Sequence, residues 1–211
     1  MKILIITGGN ISKEFLQKHL EKNEYSKIIA VDRGLEVLNK INIVPDYIIG
    51  DFDSVNKKIL EQYKNIPITY LKPEKDFTDT HMALKYSMVQ GAAKITILGA
   101  IGTRFDHSIA NVNILKETLE NNVEAEIIDE NNKIKLINKE TKIKKENDYK
   151  YVSLIPLTTN VCGVTLEGFK YSLENATLNI GESIGVSNEQ IESHATIKFK
   201  DGILILIYSK D

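Results

Sequence analysis

Hydrophobic and polar positions change rhythm once along this chain, near residue 130. Before that point, short apolar runs alternate with amphipathic stretches. The runs "KILII" (2–6), "KIIAV" (27–31), "DYIIG" (46–50), "IPITYL" (66–71), "KITILG" (94–99) and "EAEII" (124–128) have the length and composition of buried strands. Helical spacing fills the gaps between them. Ser12 is positioned to cap a helix bearing Phe15, Leu16, His19 and Leu20 on one face. Ser54 would cap a second, with Val55, Ile59, Leu60 and Tyr63, and Thr78 a third, with Met82, Ala83, Tyr86 and Val89, closed by Gly91. A fourth follows Asp106 and carries Ile109, Val112, Leu115 and Leu119. Strand–helix alternation at this spacing predicts a mostly parallel sheet with flanking helices over residues 1–130.

Beyond that point the helical period disappears. "KIKLI" (133–137), "TKIKK" (141–145), "KYVSLIPL" (150–157), "GVTLEG" (163–168), "ATLNIG" (176–181), "HATIKFK" (194–200) and "GILILIY" (202–208) are short strands separated by turn residues. Lys200-Asp201-Gly202 has the composition of a tight hairpin. Residues 131–211 are therefore expected to form an antiparallel β-sandwich, and the whole chain an α/β domain followed by that sandwich.

Composition narrows the function. The chain has 211 residues, of which 42% are hydrophobic and 27% charged, so a substantial core is available. A net charge of −2 without a long basic run speaks against nucleic acid as a partner. The lone cysteine, Cys162, excludes a disulfide framework and is expected to be a small buried hydrophobe in a reducing compartment. The N-terminal apolar run, Ile3 to Ile6, is too short for a signal peptide, and no other segment suits a membrane span, so a cytoplasmic location is expected.

The candidate chemistry lies in three loops. "GDFDS" (50–54), "KDFTD" (75–79) and "GAIGTRFDH" (99–107) each sit between a strand end and a helix start. Strand ends of a parallel sheet converge on one edge, where ligands bind. One acid per helix suffices for capping; Asp51 with Asp53 and Asp76 with Asp79 are pairs, and such like charges repel unless a cation joins them. Mg²⁺ suits that place, because it takes one or two carboxylates together with substrate phosphates. Arg104 and Lys75 supply the opposite sign, the first as a planar fork for phosphate oxygens and the second as a point charge. Asp32-Arg33-Gly34 is either a ribose or phosphate contact or a plain turn. "TGGN" (7–10) is a weak signal, lacking both the dinucleotide glycine spacing and a Walker lysine. His81 and His107 lie near the acidic loops; His19 reads as structural or exposed, and His194 carries no signal.

These motifs, with "AN" (110–111) and the C-terminal "SNE" (187–189), resemble thiamine pyrophosphokinase in order and separation along essentially the whole chain. The resemblance implies a Mg²⁺-dependent homodimer, with active sites shared between subunits, that moves the β,γ-pyrophosphoryl group of ATP to the hydroxyethyl arm of thiamine. It assigns ATP and Mg²⁺ to residues 1–130 and thiamine to residues 131–211. Asp51, Asp53, Asp76 and Asp79 then fall on the catalytic acids, with Asp51, Asp53 and Asp79 toward the metal. Asp32, Lys75, Arg104, Asp106 and His107 fall on the ATP side, and Ser187 and Asn188 on thiamine. Asp79 is the first choice for the carboxylate that accepts the hydroxyl proton, and Asp53 the second. One departure stands out: Gln190-Ile191 occupy places where an aromatic residue is common, and the chain has no tryptophan. A metal-dependent glycosyltransferase, an aspartyl-phosphate phosphatase and a non-catalytic nucleotide sensor all use similar acids. The two enzyme rivals leave the second and third loops and the sandwich unexplained, and the sensor uses the same acids for binding alone.

Overall fold

The computed structural model describes every residue except Ser54, Pro73 and Lys75. The chain divides into two compact units, Met1–Glu130 and Asn131–Asp211. In the first, strands β1 (Lys2–Ile6), β2 (Lys27–Val31), β3 (Tyr47–Gly50), β4 (Ile68–Tyr70), β5 (Lys94–Leu98) and β6 (Glu124–Ile128) run parallel. Their spatial order is β4-β3-β2-β1-β5-β6. Helices α1 (Lys13–Lys22), α2 (Gly34–Lys40), α3 (Lys57–Gln62), α4 (Asp79–Val89) and α5 (Phe105–Glu120) connect them. Ile3, Leu4, Ile5 and Ile6 of the central strand are fully buried, which requires cover on both faces of the sheet. Each such side chain contributes about 1.5–3 kcal/mol by leaving water.

The caps explain where helices start. Ser12 Oγ accepts from the Phe15 amide, and Thr78 Oγ1 from the His81 amide. The second cap is a correction: Asn56 Oδ1 accepts from the Lys58 amide and opens α3, while Ser54, the expected cap, lies outside the described residues. Helix α2 was not expected, since it is seven residues long and Arg33 provides no side-chain cap. Helix α5 also departs from expectation. Its buried stripe is Ser108, Asn111, Leu115 and Thr118, whereas Ile109 is 47% exposed. Small and polar groups let this helix lie close to the β5 loop, where the Asn111 Nδ2 donates to the Ala100 carbonyl at 2.7 Å.

The second unit holds β7 (Asn132–Ile137), β8 (Thr141–Lys144), β9 (Tyr151–Pro156), β10 (Asn160–Glu167), β11 (Leu173–Asn179), β12 (His194–Lys198) and β13 (Leu204–Ser209). Strand β13 pairs antiparallel with both β7 and β9, and β11-β10-β12-β8 form a second antiparallel sheet. Val152, Leu154, Leu204 and Leu206 from the first set share a core with Val161, Val164, Leu166 and Ile197 from the second. The turn at Lys200-Asp201-Gly202 does not close a hairpin. Strand β12 pairs with β10 and β8, and β13 with β7 and β9, so the turn carries the chain from one sheet to the other. Cys162 is half-buried, with Sγ 3.6 Å from Asn160 Oδ1, instead of lying in the core. No helix among the described residues is long and apolar enough to cross a membrane.

Candidate active site

The order β4-β3-β2-β1-β5-β6 reverses direction at β1, which has β2 on one side and β5 on the other. At such a reversal a crevice is expected outside the carboxyl ends of the strands. A cavity of about 460 Å³ occupies this place, a size ordinary for a small-ligand site. Thr7, Gly8 and Gly9 line it from β1, Asp32 and Arg33 from β2, Gly99 to Arg104 in part from β5, and Thr80, His107 and Asn111 from the helices.

Backbone contacts build its floor. Thr7 N–H donates to the Leu98 carbonyl at 2.9 Å and Gly9 N–H to the Gly99 carbonyl at 3.1 Å. A Cβ on Gly9 would overlap that Gly99 oxygen, so only glycine lets the two loops approach so closely. Gly50 has a related role toward Asp32. Its Cβ would overlap the Asp32 carboxylate, which places the end of β3 directly against a cavity-lining acid. Asp32 itself has φ +46, a left-handed turn that aspartate tolerates better than most residues.

Three of the sequence-derived residues therefore meet in one cavity: Asp32, Arg104 and His107. Asp106 is held by Arg104, with Nη2 to Oδ2 at 2.6 Å and Nε to Oδ1 at 3.3 Å. That fork, aided by the His107 amide, lowers the Asp106 carboxyl to about 2. Asp51, Asp53, Asp76 and Asp79 do not line the cavity but stand at the neighbouring strand ends. Asp51 follows β3, and its Oδ1 accepts from the Asp53 amide at 3.2 Å across Phe52, which has φ +58. Asp79 is the first residue of α4 and Asp76 is exposed in the loop before it. Lys75, expected beside them, lies outside the described residues. Among the described residues, no three His, Cys, Asp or Glu side chains are gathered closely enough to hold an ion by themselves.

In the second unit Ser187 is exposed, with φ +58, and its amide donates to Ser153 Oγ at 2.9 Å. Asn188 is only 6% exposed. Its Nδ2 donates to the Tyr171 carbonyl at 2.7 Å, and its Oδ1 accepts from the Tyr171 and Glu189 amides at 3.0 and 2.9 Å. The Asn188 amide thus splices two stretches of irregular backbone together, as a strand would. His19, far from these loops in sequence, is buried and bonds the Tyr25 hydroxyl at 2.6 Å; burial pushes its pKa down.

Sequence reasoning did not single out Thr80; it held "TGGN" (7–10) to be a weak signal, left Arg33 between a phosphate contact and a plain turn, and quoted Thr103 and Asn111 only within motifs, yet all of these except Asn10 line the cavity. The available signal for "TGGN" was its place after the central strand, not its glycine spacing.

Comparison with known proteins agrees with this architecture across both units. Residues 18–127 match the family profile "Thiamin pyrophosphokinase, catalytic domain", and residues 140–204 match "Thiamin pyrophosphokinase, vitamin B1 binding domain". The chain is 34% identical over 192 residues to the thiamine pyrophosphokinase of Bacillus subtilis, covering 90% of each chain. The crystal structure of thiamine pyrophosphokinase from that organism superposes with a TM-score of 0.90 at 32% identity, covering all of both chains. The enzyme from Geobacillus thermodenitrificans gives 0.87 at 31% identity, covering 100% of this chain and 98% of that one. With the motifs in order, the switch-point cavity in the first unit and both profiles matched, the chain belongs to the thiamine pyrophosphokinase family, enzymes that transfer the pyrophosphoryl group of ATP to thiamine.

Proposed function

We propose that this chain converts ATP and thiamine into AMP and thiamine diphosphate, with the nucleotide in the switch-point cavity and its phosphates directed toward the acidic loops. The observation that carries this assignment is the adjacency of Asp32, on the cavity wall, to Gly50, the residue that leads into Asp51 and Asp53. Arg33, Arg104 and His107 make the lining suited to an anion.

The donor chemistry fits Mg²⁺. Every candidate is a carboxylate, a hard oxygen ligand, and a three-acid cage is not required of an ion that takes phosphate oxygens as well. Asp51 and Asp53 would hold it, with Asp79 as a third ligand. When bound, it would neutralise charge on the phosphate oxygens. The protein's own residues do the rest. Arg104 exchanges the Asp106 carboxylate for phosphate oxygens and keeps its bidentate geometry in doing so. The hydroxyl proton of thiamine goes to a carboxylate that the ion leaves free: Asp79 is the first choice, in which case Asp51 and Asp53 alone would hold the ion, and Asp53 the second, in which case Asp51 and Asp79 would. Ser187 supplies the exposed contact to thiamine, and Asn188 fixes the turn that presents it.

The same proposal includes a homodimer whose sites are shared between subunits. Ile180, Ile184, Val186 and Ile191, between 46% and 63% exposed, give the second unit apolar surface that a second copy would cover. Mixing an Asp53→Asn chain with a Ser187→Lys chain, which sets a cation against cationic thiamine, tests this. Random reassortment makes about half the dimers hybrid, each with one intact site, so activity should return to roughly a quarter of wild type. Hybrid dimers that form but stay inactive would place each site within one chain. The reaction itself is tested with Asp53→Asn alone: AMP release that depends on added thiamine should fall by at least about a hundredfold. Near wild-type turnover with Mg²⁺ present would remove Asp53 from the site.

A further inference from the structure

The loop between β4 and α4 carries Asp76 and leads into Asp79, the first residue of α4, and a group of side chains outside the cavity bears on this segment. Glu117, on α5, accepts two hydrogen bonds from α4: Lys85 Nζ donates to Oε1 at 2.6 Å and His81 Nε2 to Oε2 at 2.7 Å. Partial burial would raise the Glu117 carboxyl, but these two donors outweigh it and hold the group below the ordinary carboxylate range. The carboxylate is therefore charged throughout the neutral range. Phe77, from the loop itself, rests on the same pair. Its ring meets His81 edge-on at 4.8 Å, and Lys85 Nζ lies 4.9 Å from its centroid. Phe77 is 43% exposed, so contact with these two side chains, not deep burial, fixes its place.

We infer that Glu117 is a positioning residue for the pyrophosphoryl transfer: through His81 and Lys85 it clamps Phe77, and with it the segment from Asp76 to the start of α4 at Asp79, onto α4 and α5. The inference rests on the reaction proposed above for its consequence, but not for the clamp itself. His81 is accounted for by this arrangement, since its Nε2 is turned to Glu117 and it does not line the cavity. Phe77, His81 and Lys85 are four residues apart in sequence, Phe77 just before the Thr78 cap and the other two one turn apart on α4, and only Glu117 comes from elsewhere in the chain. Removing Glu117 leaves two donors facing each other and frees the aromatic ring they hold. Asp76 and Asp79, one and two residues from Phe77, then lose their fixed approach to the phosphates, and displacements near 1 Å cost up to about a hundredfold in rate.

Amide hydrogen exchange of residues 74–82, measured on the full chain without substrates, reads the clamp; kinetics read its consequence. Glu117→Ala should accelerate exchange there. It should also lower kcat about tenfold, a partial loss on the scale set by such misplacements, while the KM for thiamine moves less than about twofold. Glu117→Gln, which retains an acceptor oxygen and the packing, should recover most of that loss. Lys85→Met, which keeps the stem and removes the charge, should fall between them and replaces Glu117→Ala if that variant does not fold. Unchanged exchange in the folded variants overturns the clamp whatever the kinetics. Faster exchange with wild-type kcat overturns the positioning role. Wild-type chain that makes no AMP would overturn the proposed reaction instead, and the exchange data would still decide the clamp.

Discussion

Asn188→Ala separates a ligand contact from a structural splice. The wild-type amide makes three hydrogen bonds to backbone, two with Tyr171 and one with Glu189, at 2.7–3.0 Å in a site 6% exposed. A net hydrogen bond contributes about 1 kcal/mol, and each buried partner left unmatched adds to the loss, so truncation should cost about 2–4 kcal/mol. With a urea dependence of about 2 kcal/mol/M, that is a midpoint shift of about 1–2 M. The assay is urea unfolding followed by far-ultraviolet circular dichroism, with tyrosine fluorescence as a second probe, because Tyr171 itself is released. Asn188→Asp should be nearly as harmful, since it places a carboxylate oxygen 2.7 Å from the Tyr171 carbonyl where a donor stood. A midpoint within about 0.3 M of wild type, accompanied by loss of thiamine binding alone, would refute the reasoning and put the amide on the ligand.

Other outcomes follow from particular contacts. Gly50→Ala drives a methyl group into the Asp32 carboxylate; it should destabilise by about 1–3 kcal/mol and raise the KM for ATP, and unchanged ATP kinetics would separate Asp32 from the nucleotide. Arg104→Lys keeps the charge but loses the fork that now holds Asp106, so ATP usage should suffer while the thiamine KM stays constant; the reverse pattern would place Arg104 in the other pocket. His19 has a pKa below its ordinary 6.5 because it is buried. The unfolded chain then binds a proton that the folded chain refuses, so stability is full above pH 6.5 and falls as pH drops through and below that value. His19→Gln should flatten the stability profile between about pH 7 and 5, and an unchanged slope would assign the loss to other groups.

Much of the fold was legible because its signals are local. Short, largely apolar runs mark β1, β2, β5 and β6 within a residue of their ends, and Ser12 and Thr78 cap the helices they precede. What failed needed information from distant chain. Asp201-Gly202 looks like a hairpin until the partners of β12 and β13 are known. Helix α5 buries Ser108, Asn111 and Thr118 because it lies against the β5 loop, a pressure that an apolar periodicity does not register. The same division holds at the site. Paired acids and Arg104 announce themselves by charge, whereas Thr7, Gly8 and Gly9 act through backbone at the switch point and become visible only with strand order. Asn188 was found by motif, yet its bonds to Tyr171, 17 residues away, have no signature in the sequence around it.

The central claim is that the two distal phosphates of ATP leave together for thiamine. Incubating the chain with ATP, Mg²⁺ and thiamine and resolving all products by phosphorus NMR tests it most directly. The account predicts AMP and thiamine diphosphate appearing in equal amounts, with neither formed when thiamine is omitted. ADP accompanied by thiamine monophosphate, or AMP released at the same rate without thiamine, would contradict it.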